Sequence, residues 1–325
     1  MRRVALIYNP ASGQHLDKRS GRIAEVIAVL QKAGVEVQAI ATESPESAGM
    51  QALEAVEQGY DTILACGGDG TAHEAMQRLV GGTAALGVIP MGTANALATD
   101  LGLPSSPVKA VKELLTAVPT RVSVGHIFYS DSQGGQRARY FIVAAGIGAD
   151  AIFLSRLDSG LKQRLGYVLY LVEGFRVWAT HTFPLFAASF MESGSTAPRV
   201  ENVSQLLAVR ISNFGGVLNN LAPGAALVNS HLRLIAFKTR SRMRYMRFLL
   251  AVLLGRHTYS TTVELVKAVS VECCNLEGST ARLLVEADGE LLGTLPVRIE
   301  VVQQALTLLI PRKTLSRYSL VPRSS

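Results

Sequence analysis

The sequence predicts a two-part fold, an α/β domain built on a parallel sheet followed by an all-β domain of sandwich type with inserted helices. Three observations carry this. Short apolar runs alternate with helix-period stretches up to about residue 120, which implies a parallel sheet covered on both faces. From Arg121 onward, regularly spaced β-like runs separated by Gly, Asn and Ser take over, as in a sandwich or barrel. At 325 residues the chain also exceeds the usual size of one domain. The expected division is 1–120, 121–312 and a C-terminal tail, 313–325.

In the first domain, Val4 to Tyr8 reads as a short buried strand closed by the turn Asn9-Pro10-Ala11-Ser12-Gly13. A helical period follows from about Ser20 to Lys32, with Ile23, Val26, Ile27 and Leu30 on one face. Val35 to Ala41 gives a second strand, Ala48 to Glu57 a second helix, and Asp61 to Cys66 a third strand. That strand stops at Gly67-Gly68, and a helix is expected from Thr71 through Ala75, Met76 and Leu79. Ala85 to Ile89 is the fourth strand, followed by a second glycine turn, Pro90-Met91-Gly92-Thr93-Ala94-Asn95. A helix from about Val108 to Leu115 ends the domain. In parallel sheets, ligands bind beyond the carboxyl ends of the strands. Asn9–Gly13, Gly67–Thr71 and Gly92–Asn95 all fall on that rim.

In the second domain, strands are expected at Arg121–Phe128, Tyr140–Ala145, Leu206–Ser212, Leu232–Phe237, Thr261–Val266, Ala268–Cys273, Ala281–Glu286 and Pro296–Val302. Helices interrupt them at Ile152–Trp178 and Ser241–Leu254. Gln133-Gly134-Gly135-Gln136 reads as a hairpin tip and Glu192–Pro198 as a loop.

A composition 48% hydrophobic supports large cores, and a net charge of +7 favours an acidic partner. Of three cysteines, Cys66 lies in a strand, while Cys273 and Cys274 are adjacent and ill-placed to bridge each other. A reduced, cytoplasmic setting is expected. Arg2-Arg3 precede an apolar run that breaks at Asn9-Pro10, too short for a secretory leader. The longest apolar stretch, Phe248–Leu254, falls well short of a bilayer span.

The chemistry centres on Gly67-Gly68-Asp69-Gly70-Thr71. Glycines let backbone N–H groups approach an anion closely, and the positive end of the following helix favours its charge. The pattern G-x-x-x-x-G-K-[ST] is missing, so the phosphates would rest on backbone amides and on the Thr71 and Thr93 hydroxyls instead. A dinucleotide oxidoreductase is disfavoured, since no G-x-G-x-x-G follows the first strand.

Taken with Asn9-Pro10-x-Ser12-Gly13, Pro90-x-Gly92-Thr93-Ala94-Asn95, Ala145–Ala151 and Asp288-Gly289-Glu290, this motif resembles the diacylglycerol kinase catalytic family, which includes soluble bacterial lipid kinases and sphingosine kinases. The likeness runs from about residue 4 to about residue 310. The glycine motif alone is less specific, because NAD kinases and phosphofructokinases carry close relatives of it. The resemblance implies an NAD kinase- or phosphofructokinase-like nucleotide domain and a β-sandwich. ATP would lie in the cleft between them, with transfer of its γ-phosphate to a lipid hydroxyl in the presence of Mg²⁺. It places Asn9, Thr42, Gly67, Gly68, Asp69, Gly70, Thr71, Thr93 and Asn95 near ATP and carries the general-base role onto Glu290, with Asp288 beside it organising water and metal.

Asp69 inside a phosphate loop would repel the ligand unless Mg²⁺ or a structural hydrogen bond offsets its charge. Out of context, Asp288-Gly289 would be an ordinary hairpin turn, Asn95 and Thr93 helix caps, and His73 a packing residue on its helix. On the lipid side, the segment Leu154 to Tyr167 resembles the family's flank of the acyl pocket, with Arg164 facing phosphate and Asp150 at the substrate's polar head. An amphipathic helix packed on the sandwich is the competing reading of that segment. Arg240, Arg242, Arg244, Arg247 and Arg256 surround Phe248–Leu254, as a helix resting on an anionic membrane requires.

One departure from the family is Asn229-Ser230, which follows Leu221-Ala222-Pro223 where relatives carry Asp-Gly. A neutral Asn is a poor ligand for a hard cation, so that metal site is not carried over. The expected activity is an ATP-dependent lipid kinase acting on diacylglycerol or a similar alcohol. It would be cytoplasmic, peripheral at the inner membrane face and without a nucleic acid partner; a homodimer is one oligomeric state left open. The alternatives are a kinase of a soluble substrate such as NAD, and a weakened lipid-binding regulatory protein.

Overall fold

The computed structural model describes residues 1–10, 19–44, 46–131, 133–149, 151, 176, 179–219, 221–256 and 262–319. It has an N-terminal α/β domain and a C-terminal, sheet-rich domain. The first contains β1 (Arg3–Tyr8), α1 (Arg19–Lys32), β2 (Glu36–Ala41), α2 (Ser47–Glu57), β3 (Thr62–Gly67), α3 (Asp69–Leu79), β4 (Ala85–Pro90), α4 (Ala96–Asp100) and α5 (Pro107–Leu115). Strands β2, β1, β3 and β4 pair side by side and parallel, so their carboxyl ends share one rim. Every residue of β3 and β4 is buried, as expected of strands covered on both faces.

The second domain runs through β5 (Val118–Ser130), β6 (Gln136–Phe141), β7 (Ala144–Ile147), β8 (Phe186–Glu192), β9 (Arg199–Val203), β10 (Gln205–Val209), β11 (Leu232–Phe237), α6 (Arg242–Leu253), β12 (Val263–Asn275), β13 (Leu284–Ala287) and β14 (Glu290–Ile310). Its antiparallel strands enclose a separate core that includes Phe141, Phe186, Phe190, Leu206, Leu234 and Ile299. The β5–β6 hairpin closes where expected, with Asp131 and Gly135 joined across its tip.

Several expectations are revised. Helix α3 begins at Asp69, two residues before Thr71, because Gly68 is extended and serves as its N-cap. The run Tyr140–Ala145 is two strands, since the Asp288 carboxylate takes the N–H groups of Ile142, Val143 and Ala144 and breaks the ladder there. The runs 261–266 and 268–273 are one strand, β12, with a bulge between Ala268 and Ser270. Strands β8 and β9, on either side of the expected loop 192–198, were not foreseen.

The two domains are joined by more than a linker. Strand β14 leaves the second domain and ends beside β4, with Thr307 and Leu308 paired in parallel to Ala85 and Leu86. Its last residues, Leu306, Leu308, Leu309 and Ile310, enter the first domain's core. Beyond it, where a tail is expected, Arg312–Ser319 form a helix, α7. There the Tyr318 hydroxyl donates to the fully buried Asp100 at 2.8 Å and the Thr314 hydroxyl to the Leu101 carbonyl at 2.6 Å.

Candidate active site

The two glycine turns lie against each other on the rim. A Cβ at Gly92 would sit 2.5 Å from the Gly68 Cα, and one at Gly67 would collide with the Thr71 hydroxyl. Only glycine permits this packing. The Met91 N–H donates to the Gly67 carbonyl at 2.8 Å and locks the turns together. Asn95 adopts a left-handed backbone with φ 48°. Its side chain accepts from Gly92 N–H at 2.9 Å and donates to the Gly92 carbonyl at 2.8 Å, closing the second turn on itself.

Asp69 is partly buried, and its Oδ1 lies 3.4 Å from the Leu97 N–H. Thr71 is buried and Thr93 exposed. Asn9 and Thr42 follow the two neighbouring strands. The Asn9 N–H donates to the Cys66 carbonyl at 3.3 Å and the Thr42 N–H to the Tyr8 carbonyl at 2.9 Å. The structure therefore brings Asn9, Thr42, Gly67, Gly68, Asp69, Gly70, Thr71, Thr93 and Asn95 to one rim of the sheet, with Gly67–Thr71 at the N-terminus of α3 and Thr42 two strands away, after β2. The Thr71 N–H turns back to the Gly68 carbonyl at 3.2 Å, which leaves the N–H groups of Asp69 and Gly70 at the first two helical positions without intrahelical acceptors and available to an anion.

In the second domain, Asp288 and Gly289 form the two-residue turn between β13 and β14, with φ 50° and 85°. Asp-Gly suits such a left-handed turn. The Asp288 carboxylate receives N–H bonds from Ile142, Val143 and Ala144 at 2.8–3.0 Å, which pins the turn to the start of β7. Its Oδ2 also lies 3.3 Å from His73 Nε2, with both side chains almost fully buried. His73, expected as a packing residue, thus faces the opposite domain from within α3.

Glu290 follows at the start of β14, with its side chain 42% exposed. Arg139 of β6 pairs with its Oε2 at 2.8 Å and also with Glu74 of α3. Burial raises the Glu290 pKa above the usual carboxylate range, Glu74 and Asp288 push it the same way, and Arg139 and His73 oppose them. Gln77, one turn further along α3, completes the seam. Its amide donates to the Tyr140 carbonyl at 2.8 Å and accepts the Tyr140 N–H at 3.0 Å. The helix that opens at the glycine turn is therefore the element that the carboxylate turn rests against. Sequence reasoning missed Glu74, Gln77 and Arg139, because they carry no motif and meet only through the fold. The one available signal was their period, with His73, Glu74 and Gln77 on one face of a helix.

Asp150 and Arg164 lie outside the described residues, as does most of the expected helix 152–178. Asn229 donates its amide to the Gly224 carbonyl at 2.8 Å and so closes a loop. Among the described residues no group of three or more His, Cys, Asp or Glu side chains is arranged to hold a metal. Mg²⁺ in phosphoryl-transfer sites commonly uses one or two protein carboxylates and takes its other ligands from water and phosphate. Asp69 on the rim fits that limited part.

A glycine-lined rim facing a carboxylate turn from a second domain is the build of a two-lobe phosphotransferase. Residues 3–127 match the diacylglycerol kinase catalytic domain and residues 142–310 the YegS C-terminal NAD kinase beta sandwich-like domain. The chain is 28% identical over 312 residues to a diacylglycerol kinase of Staphylococcus saprophyticus, covering 95% of this chain and 96% of that one. It is 27% identical over 316 residues to a diacylglycerol kinase of Bacillus subtilis, covering 96% and 98%. In fold it is similar to a crystal structure of a diacylglycerol kinase from Bacillus anthracis, with a TM-score of 0.69 at 20% identity over 96% of this chain and 98% of that one. The chain belongs to the diacylglycerol kinase catalytic-domain family and is an enzyme of the lipid kinase class.

Proposed function

We propose that this kinase transfers the γ-phosphate of ATP to a hydroxyl of diacylglycerol or a similar lipid alcohol, with Glu290 as general base. The observation that carries the reading is the seam along α3. The helix begins at the glycine turn, and its His73 and Glu74 contact Asp288 and the Arg139–Glu290 pair. A helix rises 1.5 Å per residue, so acceptor chemistry at Glu290 is held near phosphates docked at Asp69–Thr71.

Phosphoryl transfer asks a protein mainly for positioning and charge compensation. In this reading, backbone amides of Gly67–Thr71 and the Thr71 and Thr93 hydroxyls hold the phosphates, while Asn9, Thr42 and Asn95 fix the surrounding turns. Mg²⁺, held through Asp69 and the phosphates, would offset their charge. Glu290 takes the proton from the lipid hydroxyl as its oxygen bonds to the γ-phosphorus, the bond to the β-bridging oxygen breaks and ADP leaves. Asp288 acts through the backbone by fixing the turn that carries Glu290. Asp150 is assigned to the lipid's polar head and Arg164 to phosphate.

Labelled ATP offered with mixed micelles of several lipid alcohols, and with NAD in parallel, tests the assignment. Label in a lipid phosphate supports it; label in NAD alone, or none anywhere, overturns it.

Peripheral contact with the cytoplasmic face of an anionic membrane fits the same chain. Helix α6 buries Tyr245, Phe248 and Val252 and exposes Met243, Leu249 and Leu250, with Leu254 exposed just beyond its end. Exposed Arg240, Arg244, Arg247 and Arg256 surround them, and residues 239–262 contain no acid. Apolar side chains ringed by arginine suit an anionic interface. Among the described residues no helix is long and apolar enough to cross a membrane.

A further inference from the structure

We infer that Arg139 is a positioning residue that keeps Glu290 ionised, and that Glu74 tunes it by competing for the same guanidinium. This deepens the reading of Glu290 as the base and rests on it for its catalytic meaning.

The three side chains come from three elements. Glu74 lies in the middle of α3, Arg139 on β6 and Glu290 at the first position of β14. Arg139 is 20% exposed and Glu74 13%, so both charges sit where solvent screens poorly. One guanidinium thus serves two carboxylates, and the trio carries a net negative charge. The other titratable groups facing Glu290 are Asp288 from its own turn and His73 from α3, whose Oδ2 and Nε2 lie 3.3 Å apart. Tyr129 of β5 is the remaining ionisable neighbour of Arg139. Among the described residues, Arg139 is the permanent cation paired with Glu290.

A base must be deprotonated before it can act, and Glu290 stands in surroundings that favour its protonated form. Removing Arg139 removes the opposing charge, so protonation extends to higher pH. Removing Glu74 does the reverse: it deletes a like charge and leaves the whole guanidinium to Glu290. The two substitutions break the same ion pair yet should move Glu290 in opposite directions. A merely structural bridge between α3 and β6 would give both variants the same fault.

The experiment uses full-length protein with ¹³C-labelled glutamate, the Glu290 carboxyl signal being assigned by its loss in E290Q. Its titration midpoint is followed in the parent, R139Q, R139K and E74Q, alongside the acid limb of kcat/KM. The midpoint is expected to rise by about one pH unit or more in R139Q, to return most of the way in R139K, and to fall in E74Q. Midpoints that shift together, or do not move, overturn the inference. If they move as expected while the acid limb stays put, control of ionisation stands and the assignment of Glu290 as the base fails.

Discussion

The two halves of the candidate site are built by different means. The glycine rim is local: its defining contacts join residues within about thirty positions, Gly68 against Gly92, Met91 to Gly67 and Asn95 to Gly92. The carboxylate turn is assembled from afar. Asp288 is held by amides 144 to 146 residues away, and Glu290 by an arginine from another strand. Backbone shape suffices to receive phosphate, whereas a tuned carboxylate needs charges that the fold must bring together. The first kind of site can be written in a short motif; the second cannot.

The comparison is broken most severely at Glu290. E290Q keeps the turn but removes the proposed proton acceptor, and kcat is expected to fall by about 10² to 10⁴-fold with an unchanged circular dichroism spectrum. Next, D288A leaves three N–H groups without their acceptor, and unfolding in denaturant should show a loss of roughly 3–5 kcal/mol. D288N should cost less, because Asn tolerates the left-handed backbone and retains one acceptor oxygen. On the local side, G92A forces the two turns apart. A loss of about 1–3 kcal/mol is expected, with a raised KM for ATP and little change in lipid KM.

The smallest effect separates the site from its scaffold. His231 is buried in the second domain, where burial, helped by Arg233, Lys267 and Arg210, lowers its pKa to about 4. The unfolded chain binds that proton more readily, so its contribution to stability is complete above the ordinary histidine pKa and is lost as pH falls from about 6.5 towards 4. H231Q should flatten the stability curve in that window and leave the acid limb of catalysis where it was.

Much of the first domain was legible because each parallel strand announces itself as a buried apolar run ending in a polar turn. The rim positions Asn9, Gly67–Thr71 and Gly92–Asn95 followed from that, whereas Thr42 came from the family resemblance and Ala11–Gly13 lie outside the described residues. Asp288-Gly289-Glu290 was found through its resemblance to a family pattern, since Asp-Gly by itself denotes only a hairpin. What sequence could not supply was the partner set. His73 reads as an ordinary buried helix residue until Asp288 is seen opposite. Arg139 lies in a run, Gln136 to Phe141, whose alternation marks only a strand. The break between β6 and β7 was equally hidden, since its cause lies 144 to 146 residues downstream.

Strand β14 carries a further consequence. The amino-terminal sheet lacks the neighbour of β4 until residues 305–310 are in place, and α7 then fastens Tyr318 onto Asp100. During synthesis the nucleotide-side lobe must wait with one border open until residue 310 has left the ribosome. A gene fragment ending near residue 120 would leave that border permanently bare, so the lobe that looks most self-sufficient in the sequence is the last to be finished.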